Sequence, residues 1–382
     1  MSMKTARGRW IATLTALAFA VAAMPAGLLA QTPSAKDIRP ESLFPRSSSV
    51  QKAVPRSSLA IRQGDDAKKD VPSRTVKFRS EAGEPVTVTA IAVDPMSDAV
   101  AVAGDDHVIR IIDSTSLQTI EELTGHRDRI RTLSFHPENG RLVSAGNDGQ
   151  LIIWDSKQDY AIRQRMEGTP AIARVRYSTD GNEIAAVGFD SEVFLIGKRV
   201  SDRPRLTCDC RDLRAIAYRD DQAMFVVAGR SGDLHLFDTK TTTLIGEFPI
   251  HKGRVDDVVF APQSNIAISV GEDGRLVTFD TRTKEVIKRV SITSGKLFAA
   301  TMLNSHWVAV AGSDNVIRVV NIDTGNVVAI LEGHRGSVPT LAASGGYLFS
   351  GGFDATLRRW AVVDMEPTDE RIAEGDSPEQ RQ

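Results

Sequence analysis

The chain of 382 residues contains only two cysteines, Cys208 and Cys210, in the stretch TCDCRD. That scarcity excludes a fold stapled by several disulfides and a zinc site built from four thiolates. Charge of one sign is also lacking: 47 Lys and Arg face 49 Asp and Glu, for a formal net charge of −2. There is thus no overall basic excess of the kind that neutralises nucleic-acid phosphates, and no nucleic-acid partner is expected. After residue 30 no stretch is long and apolar enough to cross a bilayer. The chain has no P-loop ending in Gly-Lys-Ser/Thr, no HExxH and no GxSxG. Nor does any segment carry a sustained helical period.

What is present falls into distinct textures. MSMKTARGRW supplies Lys4, Arg7 and Arg9 without an acid, IATLTALAFAVAA is uninterruptedly apolar, and Pro25 and Gly27 precede LLA. Residues 1–30 therefore read as a secretory signal peptide, which makes the body an exported, periplasmic or secreted protein. The other reading is an uncleaved signal anchor, because Ile11 to Ala30 is about long enough to span a membrane. Residues 31–74 are rich in Ser, Pro and isolated charges, without apolar periodicity, and read as a disordered linker. Residues 364–382 carry seven acids against two Arg and read as an acidic disordered tail.

Between 75 and 363 short β-branched runs alternate with turn residues, and they repeat. The stretches AGDDHVIRIID, AGNDGQLIIWD, VGFDSEVFLIG, AGRSGDLHLFD, VGEDGRLVTFD, AGSDNVIRVVN and GGFDATLRRWA align on Asp106, Asp148, Asp190, Ser231, Asp273, Asp314 and Asp354. A spacing of about 40 residues, sustained through seven copies, marks a repeat architecture. Each unit holds four strand-like runs with period-two alternation, and four-stranded units bury their faces by standing radially round an axis. The expected fold is all-β, a seven-bladed propeller of antiparallel blades. The last unit lacks a fourth strand, and TVKFRS at 75–80 has the length and alternation to supply it and close the ring.

These residues resemble the WD40-repeat (G-beta-like) family, including its Gly-His and Trp-Asp hallmarks at Gly125-His126 with Trp154-Asp155, and at Gly333-His334 with Trp360. With the signal, the resemblance is to an exported, bacterial-type WD40-repeat protein. Repeats one, three, four and six lack Gly-His, and Ile112, Ile196, Phe237, Phe279 and Val320 stand where the family has Trp. Those blades are expected to rely on apolar packing in place of a polar network.

Residues 142–155, LVSAGNDGQLIIWD, pose a choice. Ser144 and Asp148, with His126 shortly before them, have the composition of a hydrolase triad. The resemblance instead implies a buried structural relay of His126, Ser144, Asp148 and Trp154, repeated as His334, Ser350, Asp354 and Trp360 and in part as His251, Ser269 and Asp273. Recurrence round a ring favours the structural role, since a nucleophile needs an open face with an oxyanion site beside it.

The resemblance also places recognition on the narrow-channel face, at residues flanking the first residue of the innermost strand and just before the turn Asp. These are Arg129, Arg131 and Asn147 in blade two, Phe189 in three, Asp212, Arg214 and Arg230 in four, Arg254, Asp256 and Glu272 in five, Lys296, Phe298 and Ser313 in six, and Phe353 in seven. Arg and aromatic residues dominate interface energies, and an extended peptide with acidic and apolar side chains suits such a face. The expected function is a non-catalytic interaction scaffold of the cell envelope, monomeric, without metal or cofactor, touching membrane only if the N-terminal segment is retained. The alternative is a propeller hydrolase or small-ligand and metal-binding protein of lactonase-like type, which needs acids, Asn or His converging on the channel. Cys208 and Cys210 are at the limit of disulfide reach on one strand, and AGNDGQ and VGEDGR lack the ligand set of calcium loops.

Overall fold

A computed structural model describes residues 63–68, 71–197, 205–207 and 212–362. The expectations for residues 1–30, for 364–382 and for Cys208 and Cys210 lie outside the described residues. The described strands form seven sheets, each with four antiparallel strands. Among the described residues helix is confined to one 3-10 turn at Ser156–Gln158.

Blade one comprises Val88–Val93, Ala99–Gly104, Ile109–Asp113 and Thr119–Leu123, and blade two Ile130–Phe135, Arg141–Gly146, Leu151–Asp155 and Ala161–Met166. Blade three runs from Ile172–Tyr177 to Arg205–Thr207, blade four from Leu213–Tyr218 to Leu244–Pro249, and blade five from Val255–Phe260 to Glu285–Ser291. Blade six holds Leu297–Met302, Trp307–Gly312, Ile317–Asn321 and Val327–Leu331. Blade seven takes Thr340–Ser344, Tyr347–Gly351 and Thr356–Ala361 from the end of the array and Ser73–Lys77 from the beginning.

The first strand of each blade touches the first strands of its two neighbours in cyclic order, with blade seven against blade one, so the ring is closed. The closing strand pairs antiparallel with Thr356–Ala361, Thr75 opposite Arg358 and Val76 opposite Leu357. It begins two residues before the expected segment, and Phe78, beyond its end, is buried between blades seven and one. Gln63–Lys68, inside the stretch read as a linker, adds in parallel to the outer strand Val327–Leu331 of blade six. Its sequence QGDDAK has no apolar alternation, so nothing but backbone pairing marks it as a strand.

Period-two alternation gives each blade two apolar faces, and the core is divided accordingly. Seven buried clusters fill the seven gaps between adjacent blades, for example Ile109, Ile111, Ile130, Leu142, Ile152 and Trp154 between blades one and two. Burying about 25 cal/mol per Å² of apolar surface, these gaps hold the ring together because no blade can cover both of its own faces.

One local feature recurs and positions the candidate site. In blades one to six the first strand carries a one-residue bulge near its start, at Thr89, Arg131, Ala173, Arg214, Asp256 and Phe298. A bulge re-aims the side chain it carries. The facing strand ends in Gly104, Gly146, Gly188, Gly229, Gly271 or Gly312, where a Cβ would collide with the carbonyl oxygen of Thr87, Arg129, Ala171, Asp212, Arg254 or Lys296. Close backbone approach at the bulge is thus the reason these six repeats have Gly before the turn.

Candidate functional site

The hydrolase-like set of blade two is assembled, and it is sealed. His126 Nδ1–H donates to Asp148 at 2.8 Å, its Nε2 accepts the Ser144 hydroxyl at 2.7 Å, and Ser144 Oγ accepts Trp154 Nε1–H at 2.9 Å. The tautomer is the one that satisfies every member. Ser144 has no accessible surface and His126 and Trp154 are buried, so no substrate reaches the hydroxyl. Burial lowers the His126 pKa, with Asp148 opposing, so the ring is held neutral. Burial tends to raise Asp148, but the Arg127 amide and His126 outweigh it and leave the carboxyl below its ordinary range. Blade seven repeats the arrangement: His334 meets Ser350 at 2.8 Å and Asp354 at 3.2 Å, and Trp360 donates to Ser350 at 2.9 Å. Blade five keeps His251 with Asp273 at 2.8 Å and Ser269 at 2.9 Å, while Phe279 packs on Phe248 with no indole to donate.

The expectation of purely apolar packing in the other blades needs correction for two of them. In blade one Arg110, from the third strand, reaches the turn Asp106 at 2.6 Å, and in blade six Arg318 and Thr293 reach Asp314 at 2.7 and 2.8 Å. Arg from the third strand, four residues after the turn Asp, replaces His from the preceding loop. In blade four, where Ser231 stands at the turn, Phe225 and Phe237 stack at 5.2 Å.

On the rim the bulges gather many of the expected recognition residues into one chain of contacts. Arg131 donates through Nε to Asn147 and lies 5.2 Å from the Phe189 ring centre, and Arg214 lies 4.2 Å from the same ring. Arg214 pairs with Asp212 at 2.6 Å, which Arg254 also meets at 3.1 Å. Arg254 continues to Glu272 at 2.9 Å, and Lys296 ends the chain on Glu272 at 2.8 Å. Burial, then repulsion by Arg214 and Arg129, lowers the Arg131 pKa. Asp256 is pushed up to about 7, chiefly by burial, and its Oδ2 has no hydrogen-bond partner among the described residues.

Four expected residues stand apart from this chain. Phe353 is 51% exposed in blade seven, Arg230 is exposed, and Phe298 is half-buried. Arg129 turns the other way, toward Asp105 of blade one at 3.9 Å. Asp105, in the pre-turn position of blade one, is not among the expected residues, although it has the same place before the turn Asp as Asn147 and Glu272. Arg174 and Arg176 of the innermost strand of blade three were missed too: placing them against the other blades requires the bulge register, which the repeat spacing does not reveal.

Two segments, residues 117–155 and 325–361, match the family model "WD domain, G-beta repeat". Each begins two residues before the outer strand of one blade and ends in the third strand of the next, and each contains one complete His-Ser-Asp-Trp relay. Among known proteins, the chain is 26% identical over 206 residues to the human U3 small nucleolar RNA-associated protein 18 homolog, covering 51% of this chain and 37% of that one. It is 20% identical over 293 residues to the Periodic tryptophan protein 2 homolog of Caenorhabditis elegans, covering 75% and 28%. To the guanine nucleotide-binding protein subunit beta of Dictyostelium discoideum it is 28% identical over 153 residues, covering 38% and 44%. The aligned part of this chain spans less than half the length of each of these relatives. A closed seven-bladed ring, two repeats that match the G-beta model and relatives of this kind support the WD40-repeat family for this chain.

Proposed function

We propose that the protein is a non-catalytic interaction scaffold, exported to the cell envelope by residues 1–30, which binds an extended acidic and apolar peptide or protein segment on the bulged rim. The observation that carries this reading is the continuous run from Arg131 through Phe189, Arg214, Asp212 and Arg254 to Lys296. The pair that ends the run, Lys296 on Glu272, is exposed on its lysine side and adds little stability, about 0–1 kcal/mol, so holding it ordered serves recognition more than folding. Phe189, 38% exposed between two guanidinium groups, offers an apolar surface already flanked by donors for a carboxylate. No observation favours the lactonase-like alternative: among the described residues no group of three or more His, Cys, Asp or Glu lies together as a metal site.

Charge reversal at Arg214 would break the rim itself, because it would set two carboxylates side by side at Asp212. Phe189, 38% exposed, and Lys296, 52% exposed, are the informative positions. An array of acidic-apolar peptides probed with the purified protein should yield binders that lose at least tenfold in affinity in Phe189→Ser with Lys296→Gln. Melting should be unchanged. Undiminished binding, or equal loss in Ile287→Ser on the outer strand of blade five, overturns the assignment.

A further inference from the structure

Two arginines of blade three's innermost strand are supplied with far less acceptor than they need. The bulge register puts Arg174 level with Thr132, Asp257 and Thr340, whose side chains accept the next blade's backbone amide from Val175, Ala300 and Ile91. Arg174 instead extends past blade four, which has only Ala215 and Ala217 at the two matching levels, and reaches blade five. There its guanidinium meets Asp257 Oδ1 at 3.1 Å and the Asp256 carbonyl at 3.2 Å. Such a bond skips a blade along its inner edge, so it runs along the wall of the central channel.

Asp257 has little left to give. Its Oδ1 also accepts the Val258 amide and its Oδ2 the Ala300 amide, at 3.0 and 3.1 Å. Arg176, two residues further along the same strand, donates to the carbonyl of Val175 at 3.0 Å and has no ion pair among the described residues. A guanidinium carries five N–H donors. Arg174 Nε is buried and has no acceptor among the described residues. Burial and the neighbouring Arg174 together push the Arg176 pKa down to about 10, Asp257 opposing. The Arg176 side chain nevertheless keeps part of its surface open to solvent. Arg174 thus takes the last acceptor of a saturated carboxylate, and Arg176 keeps its positive charge and most of its donors toward the water inside the ring.

We infer that the central channel holds a binding site for a small oxyanion taken from solvent, with Arg176 as its ligand and the positive charge of Arg174 beside it. Arg is suited to this role because its planar fork matches the oxygens of a phosphate or sulfate in pairs. The site is separate from the rim and does not require that a peptide bind there.

The test titrates the full chain with inorganic phosphate, and separately with sulfate, acetate and chloride at matched ionic strength, by calorimetry and by melting temperature. Phosphate and sulfate should bind saturably with one site per chain and raise the melting temperature, with acetate weaker and chloride without effect. Arg176→Gln should abolish that response while melting no lower than the unchanged protein in anion-free buffer, because it removes a like charge from beside Arg174. Arg176→Lys, which keeps charge but loses the fork, should bind phosphate at least tenfold more weakly. Absence of saturable phosphate binding to the unchanged protein overturns the site whatever the variants do. So does an equal rise in melting for Arg176→Gln, which would mark a general salt effect.

Discussion

Replacing Ser144 and Ser269 by Ala should not cost the same, although both hydroxyls are buried at equivalent positions of blades two and five. Ser144 serves two groups, the Trp154 indole N–H and His126 Nε2. Ser269 serves one, His251 Nε2. A buried polar group left without a partner costs about 1–3 kcal/mol. Ser144→Ala strands two and should lose roughly 2–6 kcal/mol, whereas Ser269→Ala strands one and should lose roughly 1–3. Trp154→Phe removes the donor and converts blade two to the arrangement of blade five, so adding Ser144→Ala to it should cost no more than Ser269→Ala does. Equilibrium urea unfolding of the full chain, followed by circular dichroism, reads these differences if the denaturant slope stays constant. Equal losses for the two single Ser variants would refute the counting of stranded groups. So would an unreduced loss in the Trp154→Phe background.

Other consequences are equally direct. Stability should decline as pH falls below about 6.5, the ordinary histidine value: burial depresses His126 and His334, so the folded state resists a proton that the unfolded chain accepts. Asp148, Asp273 and Asp354 are also depressed, and their stabilisation is lost only further down, as pH drops below 3.8 toward their folded values. A melting profile that is flat between pH 7 and 5 would contradict the neutral relay. Gly146→Ala drives a methyl into the Arg129 carbonyl and should cost roughly 1–3 kcal/mol by overpacking, while Gly83→Ala in open space, though left-handed, should cost less; melting curves compare them. Deleting 73–77 should lower melting broadly by baring the edge of Thr356–Ala361, and an unchanged curve would count against closure.

Much of this molecule was legible in its sequence because a propeller repeats its instructions. Seven turns at near-constant spacing, each with Gly before it, specify seven blades, and His126 with Ser144, Asp148 and Trp154 is repeated at His334, Ser350, Asp354 and Trp360. The ties of Arg110 and Arg318 were harder to foresee, since a third-strand Arg carries the same pattern whether it points to solvent or folds back on the turn Asp. The pairing of Gln63–Lys68 uses backbone groups that no side-chain pattern announces. Arg174 and Arg176 looked like ordinary strand residues: only the bulge register aligns them with Thr132 and Ser134, and only the alanines of blade four open the path to Asp257.

The rim, the relay and the channel all presuppose a closed ring, and closure can be measured as a covalent bond. With Cys208 and Cys210 replaced by Ser, Thr75→Cys and Arg358→Cys stand directly opposite on antiparallel strands, where Cβ atoms are about 4.5–5.5 Å apart. Oxidation should link them nearly completely within one chain and raise the melting temperature, while Thr75→Cys paired with Arg289→Cys of blade five should stay reduced. Failure of the first pair to link, or linking of both pairs alike, would contradict a ring closed by this strand.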